Sequence, residues 1–380
     1  MATAEQIPLW LDCDPGHDDA FAILMAAHHP RFKLLGISTV FGNASLEKTT
    51  HNAAALLTAI GKQNVPLYKG YAKALFRPAL HAPTDIHGVS GIDGTDLLPE
   101  PRCWPKPEPA VPAMAAALRA CAPGTAQLIA TGALTNVAAL MSAEPDLAAH
   151  IGGLCLMGGA LGGGFTDAPL AGTKDGEAKS SRSGNTTMHA EFNMLVDPEA
   201  ASQIFSNAVL AAKTTVVPLD LSHQVLATNQ VRQLLLHGAQ GDKTGPGKTQ
   251  LRVMLVELLY FFAKTYADVF DITAGPPLHD PIAVAAALIG TPDEIHFSEW
   301  DASKSQPPPH RERFRVSIIT HGTFEEAKRG DKQTGKMLAT ELPPGQQGVR
   351  IPRSIDVADF WRVLEECIER ADAANSAPSE

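Results

Sequence analysis

Short apolar runs alternate along the chain with longer stretches in which apolar residues recur every three or four positions. The short runs have the length of buried strands, and the longer stretches have the spacing of amphipathic helices. The predicted strands are Ile7–Leu11, Lys33–Val40, Val65–Tyr68, Ala126–Ala130, Leu154–Met157 and Thr214–Leu219. The main predicted helices are Leu46–Ile60, Ala113–Ala120, Asp197–Ser206, Lys248–Phe262, Ile282–Leu288 and Asp356–Ala373. This alternation predicts an α/β fold with an open, mostly parallel (mixed) Rossmann-like sheet flanked by helices.

The remaining stretches are irregular and do not indicate a second domain. Residues 77–109 are rich in Pro and Gly and predict a long loop, of a length that is typical of functional loops. Further β segments are predicted at Glu294–Trp300, Phe314–His321 and Val349–Ile351. We expect a single domain over residues 1–380, with a flexible insertion at 161–184 and a disordered tail at 375–380.

Four aspartates, Asp12, Asp14, Asp18 and Asp19, follow the first predicted strand within eight residues. Carboxylates at this density repel one another unless a cation neutralises them. Ligands that are all oxygen favour a hard ion such as Ca²⁺ or Mg²⁺ over zinc. Helix capping explains one or two of the four aspartates, but not all of them. Parallel sheets bind ligands beyond the carboxyl ends of their strands, where Asp12, Asp14 and Asn43 are expected to lie.

Composition narrows the class of protein. Acidic residues outnumber basic ones by 41 to 31, and the resulting net charge of −10 disfavours a nucleic-acid surface. The five cysteines are scattered and form no C-x-x-C pair, which is typical of a reducing compartment. The N-terminal residues lack the pattern of a secretory signal, and the longest apolar region, Ala110 to Met141, is interrupted by Arg119 and Pro123. We therefore expect a cytoplasmic protein without a membrane span.

The residues DCDPGHDD, from Asp12 to Asp19, resemble the DxDPGxDD signature of the inosine–uridine nucleoside hydrolases. Members of this family are calcium-dependent enzymes that cleave the N-glycosidic bond of ribonucleosides. Further motifs similar to those of the family follow in its order: IHGVSG from Ile86, TGALTN from Thr131, LMGG from Leu156, NTTMHAEFN from Asn185 and HDP from His279. The resemblance extends to the last predicted helix and implies the nucleoside hydrolase fold.

The resemblance also implies roles for individual residues. Calcium would be bound by Asp14, Asp19, the carbonyl oxygen of Thr131 and Asp280. The ribose would be bound by Asp18, Asn43, Met157, Asn185, Glu191 and Asn193. The base would contact Phe262 and Tyr266. Asp14 would take the proton of the attacking water, and His279 or His87 would activate the leaving base.

Several of these residues also have a purely structural interpretation. Thr135 or Asn136 could cap the helix that follows them, and His279 could belong to another helix cap. The segment from Glu191 to Asn193 could form an edge strand, and His87 could simply be a solvated loop residue. Aromatic residues on a long helix belong to a core more often than to a pocket.

The expected reaction is hydrolysis of ribonucleosides to ribose and free base, in nucleoside salvage, by a homodimer or homotetramer. The residues from Asp268 to Leu278, DVFDITAGPPL, differ from the best-known members that act on purines and pyrimidines, and they lack an expected arginine. We expect uridine to be favoured, with inosine and cytidine as further candidates.

Two alternatives come from other classes. A phosphohydrolase of the haloacid dehalogenase type also has D-x-D after a strand, but Pro15 and Gly16 stand where that class has Thr or Val. A ribose-binding protein without catalytic activity would tolerate the loss of Asp14 or of the His279–Asp280 pair, and all three residues are present.

Overall fold

Six parallel strands form the central sheet in a computed structural model that describes residues 6–170, 182–241, 243–301 and 311–376. The strands are β1 (Ile7–Cys13), β2 (Phe32–Thr39), β3 (Leu67–Lys69), β4 (Gln127–Ala130), β5 (Gly153–Met157) and β6 (Thr214–Val217). Their spatial order is β3-β2-β1-β4-β5-β6. The order changes direction between β1 and β4, and open α/β sheets bind their ligands at that position, beyond the carboxyl ends of the strands.

Helices cover both faces of this sheet, and two small antiparallel sheets follow it in the chain. The helices before β6 are α1 (Asp19–His28), α2 (Leu46–Ala59), α3 (Thr84–His87), α4 (Ala110–Arg119), α5 (Thr135–Ala143), α6 (Leu147–His150), α7 (Phe192–Val196), α8 (Pro198–Ser206) and α9 (Ala208–Ala211). Those after it are α10 (Leu219–Ser222), α11 (Asn229–His237), α12 (Gln250–Phe270), α13 (Asp280–Ala286), α14 (Phe324–Lys328) and α15 (Val357–Ser376). The small sheets pair β7 (Phe297–Ser298) with β10 (Ser354–Ile355), and β8 (Phe314–Ile318) with β9 (Met337–Glu341).

Strand β1 shows why the strands of the central sheet appear in the sequence as continuous apolar runs. Leu9, Leu11 and Cys13 pack into the core that contains residues of α1, α12, α13 and α15. Trp10 packs into the other core, with residues of α4, α5 and α8. Successive side chains of a strand point to opposite faces, so a strand covered on both faces is apolar at nearly every position.

Helix α12 carries part of the site described below, and the buried arginine Arg252 joins it to α15. The guanidinium of Arg252 is fully buried and donates to Asp372 (2.6 Å), to Glu365 (3.0 Å) and to the carbonyl oxygen of Leu235 (2.6 Å). A buried charge is tolerated only when it is paired and hydrogen-bonded. The position of α12 therefore depends on acidic residues near the end of the chain.

The structure shortens some predicted elements and changes others. Strand β6 ends at Val217, because Pro218 has no N–H group for the ladder, and Leu219 begins α10 instead. The edge strand considered for Glu191 to Asn193 is wrong, since α7 begins at Phe192. The predicted segment Val349–Ile351 contributes only single bridges to neighbouring strands, and Glu294–Trp300 shortens to β7. The long loop at 77–109 contains α3.

Residues 171–181 and 377–380 lie outside the described part of the chain, so the middle of the predicted insertion and most of the predicted tail fall there. Helix α15 continues through Ser376, so residues 375 and 376 are helical, because the apolar face of this helix packs into the core. At the start of the insertion, the Asp220 carboxylate accepts hydrogen bonds from the backbone N–H groups of Leu161 and Gly162. Among the described residues, no helix has the length and apolar character that crossing a membrane requires.

Candidate active site

A cavity of about 300 Å³ opens beyond the carboxyl ends of β1, β4 and β5. It is lined by all the residues predicted to bind the substrate and by both predicted catalytic histidines: Asp18, Asn43, His87, Met157, Asn185, Glu191, Asn193, Phe262, Tyr266 and His279. Thr131 and Asp280, two of the predicted metal ligands, also line it. A cavity of this size, lined by both polar groups and aromatic rings, suits a small molecule such as a nucleoside.

Four buried carboxylates, Asp14, Asp18, Asp19 and Asp280, form what we call the carboxylate floor. Asp18, Asp19 and Asp280 each offer an oxygen atom within 4.8 Å of the others, which would suit a metal ion. Asp14 is joined to this group through Asn43. The Asn43 backbone N–H donates to Asp14 Oδ2 (2.8 Å), and its side-chain amide donates to Asp19 Oδ2 (3.3 Å).

The carboxylate floor is electrostatically unfavourable without a cation. Burial raises the pKa of Asp14 well above its usual range, and the Asp19 carboxylate raises it further. Burial and the neighbouring Asp18 do the same to the pKa of Asp280. The pKa of Asp18 rises to about 7, again by burial and then by Asp19. Raised pKa values shared by adjacent carboxylates indicate negative charge that the protein itself does not compensate.

The floor suits a hard divalent cation because it offers free oxygen atoms as well as negative charge. Asp14 Oδ1 is buried and has no hydrogen-bond partner among the described residues. A Cβ atom added to Gly132 would lie 2.4 Å from that oxygen, so only glycine fits beside it. The carbonyl oxygen of Thr131 accepts a hydrogen bond from the side-chain amide of Asn193 (2.8 Å) and keeps a second lone pair. An all-oxygen set of this kind is typical of Ca²⁺ or Mg²⁺ sites.

Asp12 belongs to the same sequence motif but not to the floor. Its Oδ1 accepts hydrogen bonds from the hydroxyl of Ser38 and from the side-chain amide of Asn136 (2.7 Å). Asn136 also donates to the carbonyl oxygen of Thr39 (3.0 Å). Asn136 is therefore a link between strands rather than the helix cap considered from the sequence, and helix α5 has no side-chain cap.

The start of α7 brings three predicted ribose-binding residues to the cavity. Asn193 lies in the helix, Glu191 directly precedes it, and Asn185 lies earlier in the chain. Both oxygens of Glu191 accept backbone N–H groups: Oε1 from Asn193 (2.8 Å), and Oε2 from Gly159 (2.8 Å) and Met194 (3.1 Å). Glu191 is thus the cap of α7 while it also lines the cavity, because a carboxylate stabilises the free N–H groups at a helix start. Asn185 holds the same segment, since its side-chain oxygen accepts the backbone N–H of Phe192 (3.1 Å).

His279 lies between two hydroxyl groups. Its Nδ1 is 2.7 Å from Ser222 Oγ, and its Nε2 is 2.6 Å from the hydroxyl oxygen of Tyr266. Burial lowers the pKa of His279 well below its usual range, and the nearby His223 lowers it further. The imidazole is therefore neutral near pH 7 and is held at both nitrogens.

His87 forms a pair with a second histidine, His17. Their Nδ1 atoms are 3.1 Å apart, and His17 Nε2 is 2.7 Å from the carbonyl oxygen of Asp93. The His17 ring stacks on Phe261 and Phe262, at centroid distances of 5.0 and 5.2 Å. Burial lowers the pKa of His17 to about 4 and the pKa of His87 well below its usual range.

We call four further residues that line the cavity the base wall: His87, Phe262, Tyr266 and His279. The rings of Phe262 and Tyr266 meet edge to face, with centroids 4.8 Å apart. Both are buried and both line the cavity, so each serves the core and the site at once. The predicted helix Lys248–Phe262, which we expected to continue toward Tyr266, passes through Tyr266 and ends at Phe270.

Sequence analysis missed His17 and Ser222. His17 occupies the variable position of DPGHDD, so its place inside the aspartate motif was the available signal. Ser222 has no comparable signal, because its contact with His279 joins residues 57 positions apart.

Comparison with known proteins identifies the class. Residues 9–362 match the model of the inosine-uridine preferring nucleoside hydrolase family. The chain therefore belongs to this family, and it is a nucleoside N-ribohydrolase, which hydrolyses ribonucleosides to ribose and free base. The fold and the enzyme class expected from the sequence are confirmed, and the phosphohydrolase and inactive ribose-binding alternatives are wrong.

Individual relatives agree with this assignment. Uridine nucleosidase of Saccharomyces cerevisiae is 37% identical over 374 residues, which cover 97% of this chain and 98% of that protein. The pyrimidine-specific ribonucleoside hydrolase RihA of Salmonella arizonae is 35% identical over 282 residues, which cover 74% of this chain and 79% of that protein. A purine-preferring ribonucleoside hydrolase from Gardnerella vaginalis has the same fold, with a TM-score of 0.73 at 23% identity over 97% of this chain and 100% of that one.

Proposed function

We propose that the protein is a pyrimidine ribonucleoside hydrolase that favours uridine and requires a bound Ca²⁺ ion. The similarity over nearly the whole chain to a uridine nucleosidase carries the choice of base, and the pyrimidine-specific relatives support it. The structural neighbour that prefers purines is below 25% identity and bears only on the fold.

The ribose lies at the polar end of the cavity. The side chains that hold it are Asp18, Asn43, Met157, Asn185, Glu191 and Asn193, all of which line that space. Carboxylate and amide groups suit vicinal hydroxyls, because a hydroxyl both donates and accepts a hydrogen bond. The many backbone contacts of Glu191 fix its position before the sugar arrives.

Asp14, Asp19, Asp280 and the carbonyl oxygen of Thr131 hold the cation, and Asp18 lies close enough to share in the site. When bound, a divalent cation in this place orients the ribose hydroxyls and a water and lowers the pKa of that water. Elemental analysis of the dialysed protein should find about one calcium per chain. Stoichiometric zinc, or a fully active protein without metal, would contradict this assignment.

Asp14 takes the proton of the attacking water. Its Oδ2 accepts the backbone N–H of Asn43, and its Oδ1 has no partner among the described residues, so Oδ1 can offer one lone pair to the cation and the other to that proton. Neutralisation of the floor keeps this carboxylate ionised, as a general base must be.

The base wall assists departure of the base. If the Ser222 hydroxyl donates to His279 Nδ1, then His279 Nε2–H donates to the Tyr266 oxygen, and the Tyr266 hydroxyl hydrogen is free for the base. This chain of hydrogen bonds delivers a donor to the leaving group without a charged histidine. We assign leaving-group assistance to it.

A panel of ribonucleosides, with chromatographic detection of free base and ribose, tests the proposed function. Calcium-loaded protein should hydrolyse uridine with the highest kcat/KM, ahead of cytidine and inosine. Equal or greater activity on inosine would overturn the preference for uridine, and release of phosphate from nucleotides without base release would overturn the reaction itself.

A further inference from the structure

The pair formed by His17 and His87 fixes where the protons of both rings lie. The carbonyl oxygen of Asp93 can only accept a hydrogen bond, so His17 Nε2, which is 2.7 Å away, must carry a hydrogen. A neutral imidazole has one N–H group, so His17 Nδ1 is an acceptor. His87 Nδ1 is 3.1 Å from that acceptor and must therefore be the donor. The remaining nitrogen, His87 Nε2, then has a lone pair and no hydrogen.

This lone pair is available to a ligand. His87 lines the cavity, and none of the described residues makes a hydrogen bond to its Nε2. Gly16 packs closely against the ring, since a Cβ atom added there would lie 2.7 Å from His87 Nδ1. His17 is fully buried and stacks on Phe261 and Phe262, and these surroundings favour the neutral ring that the arrangement requires.

The acceptor that orients His17 is itself rigidly placed. The Asp93 carboxylate accepts the backbone N–H groups of Val89 and Ser90, and the Asp93 backbone N–H donates to the carbonyl oxygen of His87. The turn from 87 to 93 therefore closes on itself and aims the Asp93 carbonyl at His17. Stacking on Phe261 and Phe262 holds the plane of the His17 ring.

We propose that His17 is a positioning residue that holds His87 in the Nδ1–H tautomer, so that His87 Nε2 accepts a hydrogen bond from the N3–H group of a uracil base. This inference rests on the proposed function and deepens it. Uracil in uridine has such a group at N3, whereas cytosine in cytidine has a lone pair at N3, which repels another lone pair. His87 is then a recognition group, and assistance to the leaving base belongs to His279 and Tyr266.

Two substitutions of His17 separate hydrogen bonding from packing. His17→Phe keeps an aromatic ring between Phe261 and Phe262 but offers His87 no acceptor. His17→Asn loses the stacking, but its amide can accept from His87 and donate to the Asp93 carbonyl. His28→Phe is the matched control, because His28 is a buried histidine outside the cavity whose side chain, among the described residues, hydrogen-bonds only to the Ile60 carbonyl.

Nitrogen NMR of histidine-labelled protein reads the tautomer directly and needs no activity. We expect His87 to carry its hydrogen on Nδ1 in the wild type, in His28→Phe and in His17→Asn, and to shift toward Nε2–H in His17→Phe. A wild-type His87 with Nε2–H, or an unchanged tautomer in His17→Phe, would overturn the inference.

Kinetics test the consequence for the base. The ratio of kcat/KM for uridine to that for cytidine should fall by about 10-fold or more in His17→Phe, as expected for an unpaired buried hydrogen-bonding group, and should be largely retained in His17→Asn. An equal loss on both nucleosides would mean that His17 acts only by packing, and it would refute the role in recognition. A wild-type enzyme that releases no uracil from uridine would refute the proposed function instead, while the NMR result would still decide the tautomer.

Discussion

The carboxylate floor, through Asp18 and Asp280, and the base wall line the same cavity, but different kinds of structure build them. Three of the four floor residues, Asp14, Asp18 and Asp19, come from the turn after β1 and the first residue of α1. The residues of the base wall come from α3, α12 and the start of α13, which are distant in sequence. Backbone geometry at the end of a strand places the floor, whereas side-chain hydrogen bonds between separate helices place the wall.

This difference suggests a division of work. Under the proposed function, the floor would face the sugar, which all ribonucleosides share, and so it should determine whether any substrate reacts. The wall would face the base, which differs between substrates, and so it should determine which substrate reacts best. Substitutions in the floor are then expected to affect all nucleosides equally, and substitutions in the wall to affect them unequally.

Asp14→Asn should have the largest effect. The change is nearly isosteric but removes the general base, so kcat should fall by about 100-fold to 10,000-fold on uridine, cytidine and inosine alike. Asp12→Asn is the matched control, because Asp12 lies in the same motif but is held by Ser38 and Asn136. Steady-state kinetics in excess calcium, with circular dichroism to confirm folding, measure the difference. A loss that depends on the base would break the division between floor and wall.

Removal of the substrate's own 2′-hydroxyl should have the next largest effect. 2′-Deoxyuridine would leave buried polar groups of the floor unpaired, and each such group costs about 1–3 kcal/mol of binding free energy. We therefore expect kcat/KM to fall by roughly 10-fold to 100-fold relative to uridine. Equal turnover of the two nucleosides would show that the floor does not read the sugar.

His279→Ala should have a smaller and uneven effect. It breaks the contacts with Ser222 and Tyr266, so nucleosides whose bases leave least readily should lose the most activity. His28→Ala controls for the removal of a buried histidine outside the cavity. The measurement is kcat for each nucleoside, and a uniform decrease would move leaving-group assistance away from His279.

The smallest effect should be the change in the stability of the metal-free protein with pH. Asp14, Asp18 and Asp280 have raised pKa values, so the folded state keeps protons that the unfolded chain has lost, and stability falls as pH rises toward those values. His17 and His87 have lowered pKa values and oppose this trend, but only below the ordinary histidine pKa of 6.5.

Between about pH 6.5 and pH 8 the carboxylates therefore dominate. We expect the melting temperature of the chelator-treated protein to fall by a few degrees over this interval, and calcium to abolish the decrease. Differential scanning fluorimetry measures both, and a metal-free protein that becomes more stable over the same interval would contradict the account of the floor.

The floor was predictable from sequence because a local motif encodes it. Asp14, Asp18 and Asp19 lie on one turn, and the end of a parallel strand has a known position relative to a ligand. Even there, the sequence did not predict the direction of each side chain. Asp12 points to Ser38 and Asn136, and alternation along a strand does not reveal which aspartate points away from the cation site.

The four residues of the wall were predicted from the sequence, but the contacts that position them were not. Ser222 reaches His279, and His17 reaches His87, across 57 and 70 residues of sequence. Such contacts depend on how helices pack, which no short pattern encodes. The form of the segment at Glu191 was also missed, since a carboxylate before apolar residues suits an edge strand as well as the helix cap that it forms.

The ion pairs of Arg252 have a practical consequence for anyone who handles this protein as a reagent. The helix that presents Phe262 and Tyr266 is anchored by Asp372, only four residues before the last described position, Ser376. An affinity tag or fusion partner should therefore be joined after that position, through a flexible spacer. Truncating the chain within α15 would leave the buried guanidinium of Arg252 without its carboxylate partners. The cavity would then be disturbed, although no residue of α15 lines it.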